Sequence, residues 1–163
     1  ENLNYAVLQV MRYVRTIAIC LATGIMNTLT GMGVFIMSKT LTSEQKEQLA
    51  LELIDYLISK GLFTDVTVYV NGRSYGTCDR ENEKFYYNDK NHIVITENKD
   101  PRDCFEYVSK DNILSMSFEG PLYHVLNGYS GPYTVYDEMG KICEKYGCYF
   151  ELGNAWNMTC YYL

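Results

Sequence analysis

A thiol beside a base, a pair of carboxylates, or a bed of aromatic rings are the arrangements through which this sequence could do chemistry. The nucleophile candidate is Cys104, with His124 as the base that would raise its thiolate fraction. Glu119 and Glu151 are the carboxylates nearest to loops that could line a cleft. Each has a plainer reading: Glu119 as a cap before Gly120-Pro121, Glu151 as a solvated strand residue, and His92 and His124 as surface or hydrogen-bonding residues. Nothing in the spacing brings Cys104 to His124. The sequence holds no Gly-rich phosphate loop, no His-Glu-x-x-His, no Cys-x-x-Cys and no Gly-x-Ser-x-Gly elbow. No metal site and no cofactor are therefore expected, and catalysis is the lesser expectation.

The aromatic residues offer more. The chain holds 16 Tyr, 6 Phe and 1 Trp, and tyrosine joins a large apolar ring to a polar tip while losing little rotamer freedom when fixed. Tyr69, Tyr75, Tyr86, Tyr149, Trp156 and Tyr161 fall on or beside expected strands, where they could form a continuous exposed platform for protein contacts or ring stacking. An ordinary aromatic core with cross-strand pairs accounts for many of the same residues.

Charge narrows the choice of partner. The formal net charge is −6, and from Met37 onward 12 Lys and Arg face 19 Asp and Glu. Counterion release from a phosphate backbone needs clustered cations, whereas these are scattered singly among acids, so direct nucleic-acid binding is not expected. An acidic surface suits a basic protein partner, although a net charge of this size also serves solubility alone.

These residues need elements to position them. Thr42 and Gln45 form a capping box, Ala50, Leu53, Ile54, Leu57 and Ile58 make a helical stripe, and Gly61 supplies a stop. From Asp65 the period becomes two, with Val66, Val68 and Val70 on one face and Thr67 and Tyr69 on the other, and Asn71-Gly72 turns the chain into a return strand over 73–78. Segments 85–87 and 92–96 read as a second hairpin. Asp100-Pro101 opens a short helix burying Phe105 and Val108, and a strand follows over 113–118. Gly120-Pro121 opens a second short helix ending at Leu126. Val135, Met139, Ile142, Cys143 and Tyr146 repeat at helical spacing over 134–146, which makes Cys143 a core residue. Cys148 to Leu152, a turn at Gly153-Asn154, and Trp156 to Tyr162 form a third hairpin. The expected fold is α+β: a single antiparallel sheet of hairpins packed on one face by two main helices and two short ones, its other face, bearing Thr67 and Tyr69, exposed.

Residues 1–36 differ from the rest. Arg12 and Arg15 precede an uncharged run over 16–38 that is diluted by Asn27, several threonines and three glycines. We expect this leader to lie outside a single domain spanning 37–163. An over-extended reading frame upstream of Met37 is the first reading, a membrane anchor the second and a cleaved signal the third. Five cysteines follow Met37, an odd number without framework spacing, so a cytoplasmic setting is expected, with anchoring through the leader as the alternative.

Ile113-Leu-Ser-Met-Ser-Phe-Glu-Gly-Pro-Leu-Tyr123 and Tyr146-Gly-Cys-Tyr-Phe-Glu-Leu-Gly-Asn-Ala-Trp-Asn157 resemble small uncharacterised proteins found on conjugative or phage-like elements of anaerobic Gram-positive bacteria. The resemblance covers about the last third of the chain. It implies a bacterial cytoplasmic setting and an accessory role, and it carries over no catalytic residue. The expected function is that of a non-enzymatic protein binding another macromolecule through an acidic, tyrosine-rich surface. The alternative is a small hydrolase or transferase using Cys104 or a carboxylate with His124.

Overall fold

The computed structural model describes residues 40–106 and 108–163, and the expectations for residues 1–36 lie outside them. Helix α1 (Ser43–Ser59) begins where the capping box requires: Gln45 N donates to the Thr42 hydroxyl at 3.2 Å and Thr42 N donates to Gln45 Oε1 at 3.0 Å. Its buried stripe is Leu49, Ala50, Leu53, Ile54 and Leu57, and Gly61 follows the C-cap at φ 69°.

Strands β1 (Val66–Val70) and β2 (Arg73–Gly76) are joined by Asn71 and Gly72 at φ 51° and 75°, the left-handed pair that a two-residue hairpin demands. Val70 then faces Arg73 and Val68 faces Tyr75. Strands β3 (Cys78–Asp79) and β4 (Lys84–Phe85) form a separate small ribbon, and β5 is Val94–Glu97. After the 3-10 turn Pro101–Asp103 come β6 (Leu114–Phe118), α2 (Gly120–Leu126), α3 (Thr134–Lys145), β7 (Cys148–Asn154) and β8 (Asn157–Tyr162). The fold is α+β, with a six-stranded antiparallel sheet in the order β5-β2-β1-β6-β8-β7.

One face carries the core. Val66, Val68 and Val70 lie alongside Phe118, Met116 and Leu114, which in turn lie beside Met158 and Cys160, and Leu53, Ile54, Leu57, Leu122, Val135 and Met139 join them in one buried cluster. Burial of such apolar surface at about 25 cal/mol per Å² is what holds helices to sheet. Among the described residues no helix is long and apolar enough to cross a membrane.

Four expectations are corrected. Segments 85–87 and 92–96 do not pair with each other: β4 pairs with β3, and β5 crosses to β2, with Ile95 opposite Tyr75. The cause is Asn88, whose Oδ1 accepts from Phe63 N at 2.8 Å and whose Nδ2 donates to the Thr64 hydroxyl at 3.3 Å, so this stretch is tied to the exit of α1. Asp100 caps only a single 3-10 turn, accepting from Arg102 N at 2.9 Å, where a short helix was expected. The second sheet face is not exposed throughout: Tyr69 is only 9% exposed and Ser115 and Thr159 are buried. Phe105 packs on this face, edge-on to Tyr69 at 5.4 Å and to Trp156 at 5.8 Å. The last hairpin forms as expected, but its strands run past Gly153 through an irregular register between Leu152 and Asn154, placing the turn at Ala155-Trp156.

Met116, fully buried in β6 at the middle of the sheet, should lose about 2–5 kcal/mol of folding stability when changed to Ala. Exposed Leu51→Ala on α1 should stay within about 0.5 kcal/mol, and urea denaturation of both variants compares them directly.

Candidate functional site

The six aromatic candidates do not form a continuous platform. Tyr75 lies on the helix-covered face because the hairpin sets it opposite Val68; its hydroxyl donates to Glu47 Oε1 at 2.6 Å, and Arg73 Nη1 reaches the same oxygen at 3.1 Å. Tyr69 is buried on the second face, its hydroxyl engaged with Cys104 and Ser117, and burial, followed by the Cys104 contact, lifts its pKa to about 12. Tyr86 stacks on His92 at 4.9 Å in the segment after β4. Trp156 occupies the β7–β8 turn. Only Tyr149 and Tyr161 meet, as cross-strand partners with ring centroids 6.1 Å apart.

Several other tyrosines act as ties between elements. Tyr56 on α1 donates to Glu138 on α3 at 2.7 Å, Tyr146 donates to Glu52 on α1 at 3.1 Å, and Tyr87 donates to Asp65 at 3.0 Å. A phenol over a carboxylate satisfies both polar groups while the ring covers apolar surface, so part of the tyrosine and acid excess is structural.

Beside the Tyr149–Tyr161 pair lies a groove of about 580 Å³ lined by Ser109, Asp111, Tyr149, Glu151, Tyr161 and Tyr162. Tyr161 is oriented by Ser109 N, which donates to its hydroxyl at 3.3 Å. Among its described lining residues the groove carries two carboxylates, Asp111 and Glu151, and no Lys, Arg or His. Neither carboxylate makes an ion pair among the described residues. Such a setting favours a cation over tyrosine faces with a carboxylate at its side.

A second aromatic group was not singled out in the sequence. Tyr129 and Tyr133, 69% and 73% exposed, stand on the connection between α2 and α3. That connection is held by Asn127, whose Nδ2 donates to Tyr123 O at 2.9 Å and to Ala155 O at 2.6 Å. Gly131 sits at φ 85° so close to Val125 that a Cβ there would meet Cγ2 at 2.7 Å. The available signal was two tyrosines inside a Gly and Pro segment, where burial is not expected.

Cys104, His124 and Glu119 are not brought together by any contact among the described residues. Cys104, exposed after the 3-10 turn, engages Tyr69. His124 meets the edges of Tyr123 at 5.4 Å and Tyr129 at 6.3 Å. Glu119 is exposed at the N-cap of α2, without a side-chain cap bond. Cys143, Cys148 and Cys160 instead cluster in the core: the Sγ atoms of Cys143 and Cys160 are 3.8 Å apart and Cys148 Sγ donates to Cys143 O at 3.1 Å. Hydrogen bonds with Cys143 and Cys148, together with full burial, push the Cys160 thiol well above its usual range. Among the described residues no group of three or more His, Cys, Asp or Glu is arranged to hold a metal ion. Neither the family models, the curated proteins nor the solved structures provide a match to this chain.

The tyrosine ties predict an alkaline limit to stability. Burial first, and then the carboxylate each donates to, raises Tyr56, Tyr75, Tyr87 and Tyr146 above their ordinary value of 10.0. The folded chain thus holds protons that the unfolded chain releases, so their stabilisation is complete below about pH 10 and is lost as pH rises through the raised folded values. Urea midpoints should fall between about pH 10 and 12, and the fall should be shallower in Y56F/Y75F, which should also cost about 1 kcal/mol per lost bond at pH 7.

Proposed function

We propose that the chain is a non-enzymatic accessory protein that binds a basic protein segment in the groove beside Tyr149 and Tyr161. The observation that carries the reading is the lining itself: among the described residues, two carboxylates without a cation, next to two adjacent phenol rings on β7 and β8. A guanidinium or ammonium group entering the groove would gain a carboxylate partner and an aromatic face together. The net charge of −6 would steer such a partner toward the protein and disfavour a phosphate backbone. The resemblance of the last third of the chain to proteins of mobile elements supports a bacterial, accessory setting. The five cysteines after Met37, an odd number without framework spacing, support a reducing cytoplasm.

The test is a titration of the isotopically labelled full chain with an arginine-glycine repeat peptide, followed by amide NMR at low and high salt. The largest shifts should fall on Ser109, Tyr149, Glu151 and Tyr161 and should fade at high salt. Glu151→Lys should weaken binding about fivefold or more, while Tyr161→Phe, which keeps the ring, should change it little. Shifts spread evenly over the acidic surface, or affinity unchanged in Glu151→Lys, would overturn the reading.

A further inference from the structure

A cleft of about 450 Å³ opens where four segments distant in sequence meet: the first turn of α1, the β1–β2 turn, residues 97–101 and the start of β6. Its walls are fixed by hydrogen bonds. Asn71 Nδ2 donates to Ser43 O at 2.7 Å, tying the turn to α1, and Lys99 N donates to Gly72 O at 2.8 Å, tying the turn to the segment after β5. Asn71, Gly72 and Asn98 hold left-handed φ values of 51°, 75° and 56°, so the rim is built from tight turns with defined backbone.

The polar groups around this cleft divide unequally. Both carboxylates that line it already have cationic partners. Asp100 accepts from Arg102 Nε at 2.9 Å as well as from its backbone, which holds the carboxyl down at about 2, and Glu97 faces Arg73 Nε at 3.6 Å. Arg73 is shared with Glu47 on α1. By contrast, the ammonium groups of Lys46 and Lys99 make no ion pair or side-chain hydrogen bond among the described residues, and neither does the Asn98 amide. What the cleft has left to offer is mainly donors and positive charge, against buried Tyr69, Val70, Pro101 and Ile113. Pockets that combine an apolar lining with a few unengaged polar groups are the usual form of small-molecule sites.

We infer that this cleft binds a small organic anion, its carboxylate or phosphate held by Lys46 and Lys99 and its apolar body laid against Tyr69, Val70, Pro101 and Ile113. The inference is independent of the groove beside Tyr149, which shares no lining residue with the cleft and has no lysine among its described lining residues. An ammonium pair is a flexible point-charge receptor and suits a compact anion.

The experiment is amide NMR of the full chain titrated with inorganic phosphate and with phenyl phosphate, each against sodium chloride at matched ionic strength. Both phosphates should shift Gly72, Asn98, Lys99 and Ile113, and phenyl phosphate should bind about tenfold more tightly because its ring covers the buried lining. K46Q/K99Q should weaken phenyl phosphate about tenfold or more, and K46R/K99R should retain it. Retention in the arginine variant distinguishes loss of charge from loss of folding. Shifts no larger than those from chloride, or affinity unchanged in K46Q/K99Q, would overturn the site. Equal affinity for the two phosphates would overturn its assignment to an organic anion.

Discussion

The left-handed turn at Asn71-Gly72 fixes which side of the sheet every neighbouring residue occupies. Because the turn holds two residues, Val70 faces Arg73 and Val68 faces Tyr75, and the pairing of β1 with β6 carries the same alternation through Met116 to Met158 on β8. A slip of one residue would turn the valines toward Phe105 and the small polar side chains toward the helices. The amphipathic stripe of α1 then has only one surface to meet, and the loops that line the groove and the cleft follow from that seating. Both sites are consequences of register before they are consequences of side-chain chemistry.

A second constraint is the pairing of phenols with carboxylates across elements. Tyr75 with Glu47, Tyr56 with Glu138 and Tyr146 with Glu52 all involve α1, so the helix is held to β2 and α3 by bonds whose acceptors are charged. Lys60 and Lys145 add cations to two of these carboxylates, Glu138 and Glu52. Composition alone joined tyrosine and acid excess into a single picture of a binding surface. Their joint occurrence has two origins: ties that seat α1, and a groove in which Asp111 and Glu151 remain without an ion-pair partner among the described residues.

Local signals were legible wherever a feature depends on residues close in the chain. The capping box at Thr42, the left-handed hairpin at Asn71 and the helical stripe from Val135 are read correctly because each is decided within one or two turns of backbone. The partner of β5 was not, since Asn88 ties its approach to residues 63 and 64, and no local propensity encodes that bond. The cover of Phe105 over Tyr69 was hidden for the same reason. Tyr75 is different, because a two-residue turn with Val68 already on the buried face dictates its side. Of the candidate site residues, Tyr149 and Tyr161 fall on one face by alternation, but their pairing depends on a turn at Ala155-Trp156 where Gly153-Asn154 was expected, and Ser109 and Asp111 approach them only through tertiary packing.

Asn127, the C-cap of α2 at the start of the loop bearing Tyr129, gives its amide hydrogens to two carbonyls, Tyr123 O one turn back within α2 and Ala155 O in the β7–β8 turn. A single planar group therefore welds two surface loops that have no peptide continuity, and neither can shift without breaking or dragging the other. An Asp at this position would set a carboxylate oxygen against two carbonyl oxygens, so mutual repulsion would replace attraction at both contacts. The loop bearing Tyr129 and the turn bearing Trp156 thus behave as one mechanical piece, and a force applied to either is felt at both.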